Sequence, residues 1–306
     1  MLKVFIDGSA GTTGLKIRQR LEKRDDVELV VLDDAVRKDP AARYEACAKA
    51  DAAFFCLPDQ AAKEAAEACE GLDTVIIDTS TAHRCSPGWV YGFAELVGRD
   101  AIFGAKRIAN PGCHASGFAA LVKPLVDAGA LKKDALLSCF SLTGYSGGGK
   151  KMIAQYEEQE ISGLLKAPRQ YGLTQSHKHL PEVKKICSLE YEPAFCPTVS
   201  DFFSGMEVTV PLFSDQVNCP LSEIAGIYSD LYKGPVVTFC PDAPEDGFIS
   251  AAELSGKDGM KIGVFGNSER AVAVAVFDNL GKGASGAAIQ NLNIAFGLDE
   301  TLGLEL

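Results

Sequence analysis

The sequence lacks several features that large classes of proteins require. Its 306 residues include a single tryptophan and only four histidines, and 30 Lys and Arg residues stand against 41 Asp and Glu residues. The net charge of -11 disfavours nucleic acids and anionic membranes as partners, because long-range repulsion opposes the encounter. No apolar stretch approaches the roughly 18 residues of a transmembrane helix. We therefore expect a globular protein that binds neither nucleic acid nor membrane.

The ten cysteines show no pattern of a metal site or a disulfide framework. No pair has CxxC spacing and no histidines have HxxxH spacing, so we expect no metal. The first apolar run ends at Gly8 instead of continuing into the core of a signal peptide. This predicts a cytoplasmic protein with reduced thiols, most of which behave as small hydrophobic residues.

The first third of the chain alternates between strand and helix patterns. Apolar runs typical of buried strands lie at Leu2–Ile6, Val27–Leu32, Ala52–Leu57 and Thr74–Asp78. Helical patterns separate them at 14–24, 41–49 and 60–69. This rhythm predicts an α/β domain with a doubly wound parallel sheet.

The pattern changes after Pro111-Gly112. A helix is predicted at Ala115–Ala128, followed by strands that alternate apolar and polar residues, at 135–143, 206–212, 236–239, 261–265 and 271–277. Such alternation predicts a second, α+β domain over residues 113–278, with a mixed, largely antiparallel sheet covered on one face. A glycine-rich start and a helix follow at 279–296.

A glycine-rich loop follows the first strand and opens a helix. Its spacing is GxxGxxG, and the residues expected to bind a dinucleotide pyrophosphate are Gly8, Ser9, Gly11, Thr12, Thr13 and Gly14. Glycines let the backbone approach the phosphates, and free amides at the helix start donate hydrogen bonds.

The end of the second strand leaves the choice of dinucleotide open. Asp33 and Asp34 suit the ribose hydroxyl of NAD, whereas Arg37 and Lys38 suit the 2′-phosphate of NADP.

Cys113, in Asn-Pro-Gly-Cys-His-Ala, is the candidate nucleophile. The Pro-Gly turn before a good helical pattern places this cysteine at a helix N-terminus. There the dipole and the unpaired amides favour the thiolate, which is the form that attacks an acyl carbon.

Proton transfer requires a partner, and His177 and His179 are the candidates. In an extended segment their alternate positions would share a face. His114 follows the nucleophile directly and is expected to point away from the reaction. Arg84 lies in a polar loop and suits a phosphate or carboxylate.

The run from Gly144 to Lys151 resembles a P-loop but ends with Lys151 where a Ser or Thr is required. We interpret it as an anion-binding loop that closes over substrate with Lys150.

Six ordered motifs, spread over essentially the whole chain, resemble the N-acetyl-gamma-glutamyl-phosphate reductase family, in its shorter type. They lie at 8–14, 80–84, 110–115, 144–150, 177–182 and 279–291. The resemblance implies the Rossmann-type fold of aspartate-semialdehyde dehydrogenase and the phosphorylating glyceraldehyde-3-phosphate dehydrogenases. It also implies that residues 279–306 return to residues 1–112 to complete an NADP-binding domain.

The resemblance further implies NADPH as hydride donor, a role in arginine biosynthesis, and a homodimer or homotetramer. Cys113 becomes the nucleophile and His177 or His179 the acid/base. Implied substrate contacts are Arg84, Ser146, Lys150 and Glu182, and implied cofactor contacts include Ser80, Asn279 and Asn291.

The expected reaction reduces an acyl phosphate to an aldehyde through a thioester on Cys113. Two enzyme alternatives share this chemistry, aspartate-semialdehyde dehydrogenase and a lysine-pathway acyl-phosphate reductase. A non-catalytic NADP-binding sensor is the alternative of another class.

Overall fold

A computed structural model describes residues 1–158, 162–242 and 245–306, in two units. The N-terminal unit comprises Met1–Pro111 and Ala284–Leu304, and the central unit comprises Gly112–Gly283 and Glu305–Leu306. The chain re-enters the N-terminal unit at Ala284, whereas the sequence pattern places this return at 279. Asn279 therefore belongs to the central unit.

The N-terminal unit contains a six-stranded sheet. Its strands are β1 (Leu2–Asp7), β2 (Val27–Val30), β3 (Ala52–Phe55), β4 (Val75–Asp78), β5 (Val90–Tyr91) and β6 (Arg107–Ala109). Their order is β2-β1-β3-β4-β6-β5, and each pairing described is parallel. The predicted doubly wound parallel sheet is confirmed.

Helices cover this sheet on both faces. They are α1 (Thr12–Leu21), α2 (Pro40–Lys49), α3 (Asp59–Ala68), α4 (Ala94–Val97), α5 (Arg99–Ile102) and α10 (Gly286–Ala295). β3 and β4 are buried along their whole length, as expected for strands covered on both faces. Ile289 and Leu292 of α10 join the same core as Val4, Phe54 and Ile77.

The central unit contains a seven-stranded sheet. Its strands are β7 (Ser138–Gly144), β8 (Arg169–Gln170), β9 (Ala194–Ser200), β10 (Met206–Phe213), β11 (Val237–Phe239), β12 (Met260–Gly266) and β13 (Arg270–Phe277). The order is β11-β12-β13-β10-β7-β9-β8, with parallel pairs at β11-β12 and β7-β9 and antiparallel pairs elsewhere. The predicted mixed, largely antiparallel sheet is confirmed.

The helices of this unit are α6 (Cys113–Asp127), α7 (Gly149–Tyr156), α8 (His179–Ile186) and α9 (Leu221–Leu231). α6 packs directly on the sheet at Gly117. A Cβ added there would lie 2.5 Å from Cγ2 of Val208 and 2.9 Å from a ring carbon of Phe277. Glycine at this position therefore sets how closely the helix that begins with Cys113 approaches β10 and β13.

Gly117→Ala is expected to destabilise the protein by about 1–3 kcal/mol, because the added methyl group overpacks this contact. Gly226→Ala in α9 is the matched control, since nothing lies within 4 Å of a Cβ there. Alanine at that position should stabilise the helix by up to about 1 kcal/mol. Denaturant unfolding of both variants measures the difference. Equal effects of the two substitutions would contradict the tight seating of α6.

Candidate active site

The glycine loop of the N-terminal unit runs from the end of β1 into α1. Gly8 has a φ of 86°, and a Cβ there would lie 2.3 Å from the carbonyl oxygen of Cys56. A Cβ on Gly14 would lie 2.5 Å from the oxygen of Gly8. Gly11 precedes Thr12, the first residue of α1. The glycines therefore let the backbone of the loop pack as closely as a pyrophosphate-binding site requires.

A cavity of about 660 Å³ lies beside this loop, within the N-terminal unit. Gly8 and Ser9 line it together with Asp33, Asp34, Arg37, Lys38 and two arginines that the sequence analysis did not single out, Arg18 and Arg43. Its volume falls in the range of small-molecule sites. The residues of this wall fit a dinucleotide, with glycine amides for phosphate and cations for further anionic groups.

Asp7 and Arg43 form an ion pair in the wall of this cavity. Nε of Arg43 donates to Oδ2 of Asp7 over 2.7 Å, and Nη2 lies 2.6 Å from the same oxygen. Burial raises the pKa of Asp7 above its ordinary value, and Arg43 opposes that shift. Asp7 directly precedes Gly8, so Arg43 neutralises a carboxylate next to the glycine loop.

The predicted ligands Ser80 and Arg84 are held by neighbours within the N-terminal unit. Asp78 accepts hydrogen bonds from the backbone nitrogen and the hydroxyl of Ser80, at 2.9 and 2.7 Å. Arg84 is buried, and it donates to the carbonyl oxygens of Asn110 and Thr79 over 2.9 and 3.1 Å. The guanidinium thereby braces the chain three residues before Cys113.

Asn291 also contacts this segment. Its amide nitrogen donates to the carbonyl oxygen of Gly92 over 2.9 Å and to Oδ1 of Asn110 over 3.1 Å. Asn110 in turn donates to the carbonyl of Ala284 over 3.0 Å. The described contacts of Asn291 therefore hold the end of β6.

In the central unit, Cys113 is the first residue of α6, and Gly112 is its N-cap with extended backbone. Oε1 of Glu182 accepts a hydrogen bond of 2.9 Å from the nitrogen of Gly112. A Cβ on Gly283 would lie 2.9 Å from Cβ of Cys113, so glycine leaves room beside the half-buried cysteine. The helix N-terminus favours the thiolate.

Three histidine rings cluster beside this helix start. The centroid of His114 lies 5.8 Å from that of His177 and 5.4 Å from that of His179, and the latter two are 4.9 Å apart. Lys178 lies in a turn and His179 begins α8, so the segment is not extended. Burial lowers the pKa of His177, and Lys178 adds to the effect. A neutral His177 can accept a proton near pH 7.

His114 points into this cluster, contrary to the expectation that it points away. Its Nδ1 lies 2.6 Å from the hydroxyl of Ser141, and its Nε2 lies 2.8 Å from the hydroxyl of Tyr171. Burial lowers the pKa of His114 to about 3, and the charges of His177 and Lys178 contribute. His114 is therefore neutral at any pH near 7.

Arg169 and Tyr171 are further polar residues that the motifs did not reveal. Arg169 pairs with Val199 of β9, which pairs with Thr143 of β7, and the backbone nitrogen of Tyr171 donates to Pro197. Side chains two residues apart share a face, so Arg169 lies on the face of the sheet to which His114 is bonded.

The guanidinium of Arg169 has few partners. Its Nη2 donates to the hydroxyl of Tyr156 over 2.9 Å, and its Cζ lies 5.4 Å from the centroid of that ring. Its Nε is buried without a hydrogen-bond partner, and among the described residues no carboxylate pairs with it. A buried donor of this kind favours an anionic ligand.

The loop after β7 carries the remaining predicted contacts. The amide nitrogen of Asn279 donates to the hydroxyl of Ser146 over 3.0 Å, and its Oδ1 accepts from the nitrogen of Gly205 over 2.9 Å. Asn279 therefore anchors the loop within the central unit. Lys150 is exposed, near the start of α7.

The described parts of the chain contain neither a candidate metal site nor a candidate membrane span. Within residues 1–158, 162–242 and 245–306, no group of His, Cys, Asp and Glu side chains is arranged to hold a metal ion. No helix in these segments is both long enough and apolar enough to cross a bilayer.

Two family models match the chain. The NAD binding domain of semialdehyde dehydrogenase matches residues 3–105, and the semialdehyde dehydrogenase dimerisation domain matches residues 113–279. The N-acetyl-gamma-glutamyl-phosphate reductases of Brucella ovis and Brucella canis are each 45% identical to the chain, over 96% of its length and 99% of theirs.

Solved structures share the fold. Aspartate semialdehyde dehydrogenase II of Vibrio cholerae aligns with a TM-score of 0.70 at 17% identity, covering 96% of this chain and 98% of that one. Aspartate semialdehyde dehydrogenase of Candida albicans, solved with NADP, aligns with a TM-score of 0.65 at 15% identity over 96% and 98%.

Proposed function

Because the chain belongs to the N-acetyl-gamma-glutamyl-phosphate reductase family, we propose that it reduces N-acetyl-L-glutamyl 5-phosphate to N-acetyl-L-glutamate 5-semialdehyde and phosphate, with NADPH as donor. This reaction belongs to arginine biosynthesis. The observation that carries the proposal is the placement of Cys113 at the start of α6, with Glu182 on the preceding amide and histidines alongside. The aspartate-semialdehyde dehydrogenase alternative is less favoured, since the solved examples from Vibrio cholerae and Candida albicans match at only 15–17% identity.

Cys113 performs the covalent chemistry. Its thiolate attacks the γ-acyl carbon, a carbon–sulfur bond forms, and inorganic phosphate leaves with the electrons of the broken carbon–oxygen bond. Bound NADPH supplies a hydride to the thioester carbonyl, which accepts it more readily than a carboxylate would. Breaking the carbon–sulfur bond then releases the aldehyde and regenerates the thiolate. The pair His177 and His179 accepts the thiol proton and protonates leaving groups.

The glycine loop and the cations of its cavity support NADPH as the cofactor. Gly8, Ser9, Gly11, Thr12, Thr13 and Gly14 hold the pyrophosphate in this proposal. Oδ1 of Asp33 accepts from the nitrogen of Ala35 over 2.9 Å, and its carbonyl accepts from the nitrogen of Arg37 over 3.0 Å. Asp33 thus shapes the turn that presents Arg37 and Lys38 to a 2′-phosphate, which explains an acidic residue there. Ser80, Asn279 and Asn291 remain proposed contacts at or near the nicotinamide.

Arg169 is the best-supported partner for the α-carboxylate of the substrate. Four carbon–carbon bonds, or roughly 5 Å, separate that carboxylate from the reacting acyl carbon. Arg169 lies two residues before Tyr171, whose hydroxyl contacts His114. Lys150, Ser146, Arg84 and Glu182 remain proposed substrate contacts. Since Arg84 and Glu182 already bond to backbone, we assign them mainly to holding the chain around Cys113.

A cytoplasmic homo-oligomer, either a dimer or a tetramer, completes the proposal. All ten cysteines are free thiols, which suits a reducing compartment. The dimerisation-domain match covers the seven-stranded sheet, one face of which exposes Phe140, Phe213 and Val272. These residues share a face through the pairs Thr209–Phe140 and Pro211–Val272. A second copy would cover this apolar face.

Cys113→Ser should lower turnover by a factor on the order of 1,000 or more, because the hydroxyl is a poor nucleophile. The assay runs in reverse, with the semialdehyde, NADP and phosphate. NADPH binding, followed by nucleotide fluorescence, should remain unchanged. Cys219→Ser, at another half-buried thiol, serves as the control and should retain activity. Retained activity in the Cys113 variant would contradict the proposal. So would a wild type that binds NADPH but has no activity, as expected of a sensor.

Replacing Arg37 and Lys38 together by Ala should raise the KM for NADPH about 10- to 100-fold, because charge-assisted bonds to phosphate are lost. The KM for NADH should not rise, since NADH has no 2′-phosphate. Lys49→Ala is the control, because Lys49 is an exposed residue at the other end of α2. An equal rise in the KM for NADPH and for NADH would show that Arg37 and Lys38 do not bind the 2′-phosphate.

Arg169→Met should raise the KM for the semialdehyde about 10- to 100-fold, because an ionic hydrogen bond to the carboxylate is lost. The decisive comparison uses 4-acetamidobutanal, the same aldehyde without its carboxylate. Wild type should discriminate strongly against it and the variant weakly. Arg99→Met, at an exposed arginine of α5 in the N-terminal unit, is the control. Unchanged discrimination would exclude Arg169 as the carboxylate partner.

A further inference from the structure

His114 joins two hydroxyl groups in the central unit through its two ring nitrogens. The hydroxyl of Ser141, on β7, lies 2.6 Å from Nδ1, and the hydroxyl of Tyr171, just after β8, lies 2.8 Å from Nε2. His114 is 5% exposed and Ser141 is 1% exposed. The three side chains therefore form a chain of hydrogen bonds in which both ends are hydroxyls.

The positions of the protons in this chain follow from burial. Ser141 has His114 as the one described partner for its hydroxyl. A buried hydroxyl hydrogen without an acceptor costs about 1–3 kcal/mol, so Ser141 donates to Nδ1. A neutral imidazole with Nδ1 as acceptor carries its proton on Nε2. Nε2 therefore donates to the oxygen of Tyr171, and the tyrosine hydrogen is directed to another acceptor.

The hydroxyl of Tyr171 bonds to the ring of His114, the residue that directly follows Cys113 in α6. The pKa of its phenol is raised by burial and, secondly, by the negative charge of Cys113, so the hydroxyl keeps its hydrogen. Its one described side-chain hydrogen-bond partner is His114. The hydroxyl therefore has a position left for one further partner.

We propose that Tyr171 is a further catalytic residue, which donates a hydrogen bond to the acyl oxygen of adducts on Cys113, and that His114 and Ser141 are positioning residues that aim its hydroxyl. This inference rests on the proposed covalent reaction at Cys113. When sulfur attacks, the carbonyl electron pair moves onto oxygen, and a preset donor stabilises that charge. When the carbonyl re-forms, the hydrogen bond weakens again and no proton has been transferred.

The chain does not conduct a proton. Net transfer away from Tyr171 would leave charge on Ser141, whose hydroxyl is a very weak acid in a buried place. The titratable groups that face His114 include His177 and Lys178, whose charges lower its pKa, and His179, whose ring centroid lies 5.4 Å from that of His114. Proton transfer therefore stays with His177 and His179, while the chain fixes direction only.

Tyr171→Phe should lower kcat about 100-fold, the usual loss for one donor to an oxyanion, with KM little changed. His114→Phe should lower kcat by at most the same factor. The double variant of His114→Phe and Tyr171→Phe should be no slower than Tyr171→Phe alone, since both substitutions remove the same hydrogen bond to the acyl oxygen. His114→Gln should recover part of the loss, because its amide can donate to Tyr171. Tyr191→Phe, at an exposed tyrosine, is the control and should behave as wild type.

A second measurement separates a donor to the oxygen from an effect on the sulfur. Alkylation of Cys113 by iodoacetamide, followed by mass spectrometry over a range of pH, creates no oxyanion. Its midpoint should be the same in wild type and Tyr171→Phe. A shifted midpoint, a kcat within about 3-fold of wild type, or losses that multiply in the double variant would each overturn the proposal.

Failure of the proposed substrate is distinguished with p-nitrophenyl acetate, whose acyl oxygen also becomes anionic during attack. The Cys113-dependent part of nitrophenolate release is the difference from Cys113→Ser. One outcome is that wild type reacts with p-nitrophenyl acetate at Cys113 and yet does not oxidise the semialdehyde. In that case the proposed function fails, whereas slower nitrophenolate release by Tyr171→Phe still supports the inference. Equal acylation by wild type and Tyr171→Phe rejects the inference. If neither p-nitrophenyl acetate nor the semialdehyde with NADP and phosphate gives a Cys113-dependent reaction, the inference and the proposed function both fail.

Discussion

The hydrogen bond from the nitrogen of Gly112 to the carboxylate of Glu182 fixes the feature on which the proposed chemistry depends. It holds the residue just before Cys113, at the point where α6 begins. A carboxylate there also complements the positive end of the helix dipole. Gly117 keeps the helix close to β10 and β13, and Gly283 leaves space beside the cysteine. Two glycines and one carboxylate thus constrain the backbone around Cys113.

Burial lowers the pKa of two histidines in the cluster beside the start of α6, His114 and His177. His114 is too buried to become protonated, and His177 resists protonation less strongly because it is only half-buried. A neutral His177 can take a proton, whereas His114 has both nitrogens engaged by hydroxyls. The three histidines therefore divide into His114, which is fixed by hydrogen bonds, and the pair to which the proposed reaction assigns proton transfer, although their rings lie within 6 Å of one another.

Much of the fold was predictable because hydrophobic periodicity is strong in the parallel sheet and in the long strands of the central unit. β9 was not predicted, because Pro197 interrupts its pattern, yet this strand joins β7 to β8. The position of Cys113 at a helix start followed from the Pro-Gly turn before it. Arg169 and Tyr171 reach the site through strand pairing distant in sequence, which no local motif reveals. The alternation Arg-x-Tyr shortly before His177 was the one available signal.

The same physics explains why several predicted ligands contact the protein itself. Arg84, Asn291, Asn279 and Glu182 are buried polar residues, and each bonds to backbone near a segment that carries the proposed reaction. Buried polar groups need partners, and loops that must hold a reactive group need polar braces. A sequence motif contains both ligand-binding residues and residues that hold the backbone, and it does not show which are which. Arg169 differs, because its one described side-chain hydrogen bond is to the hydroxyl of Tyr156 and not to backbone, and its Nε is buried with no hydrogen-bond partner.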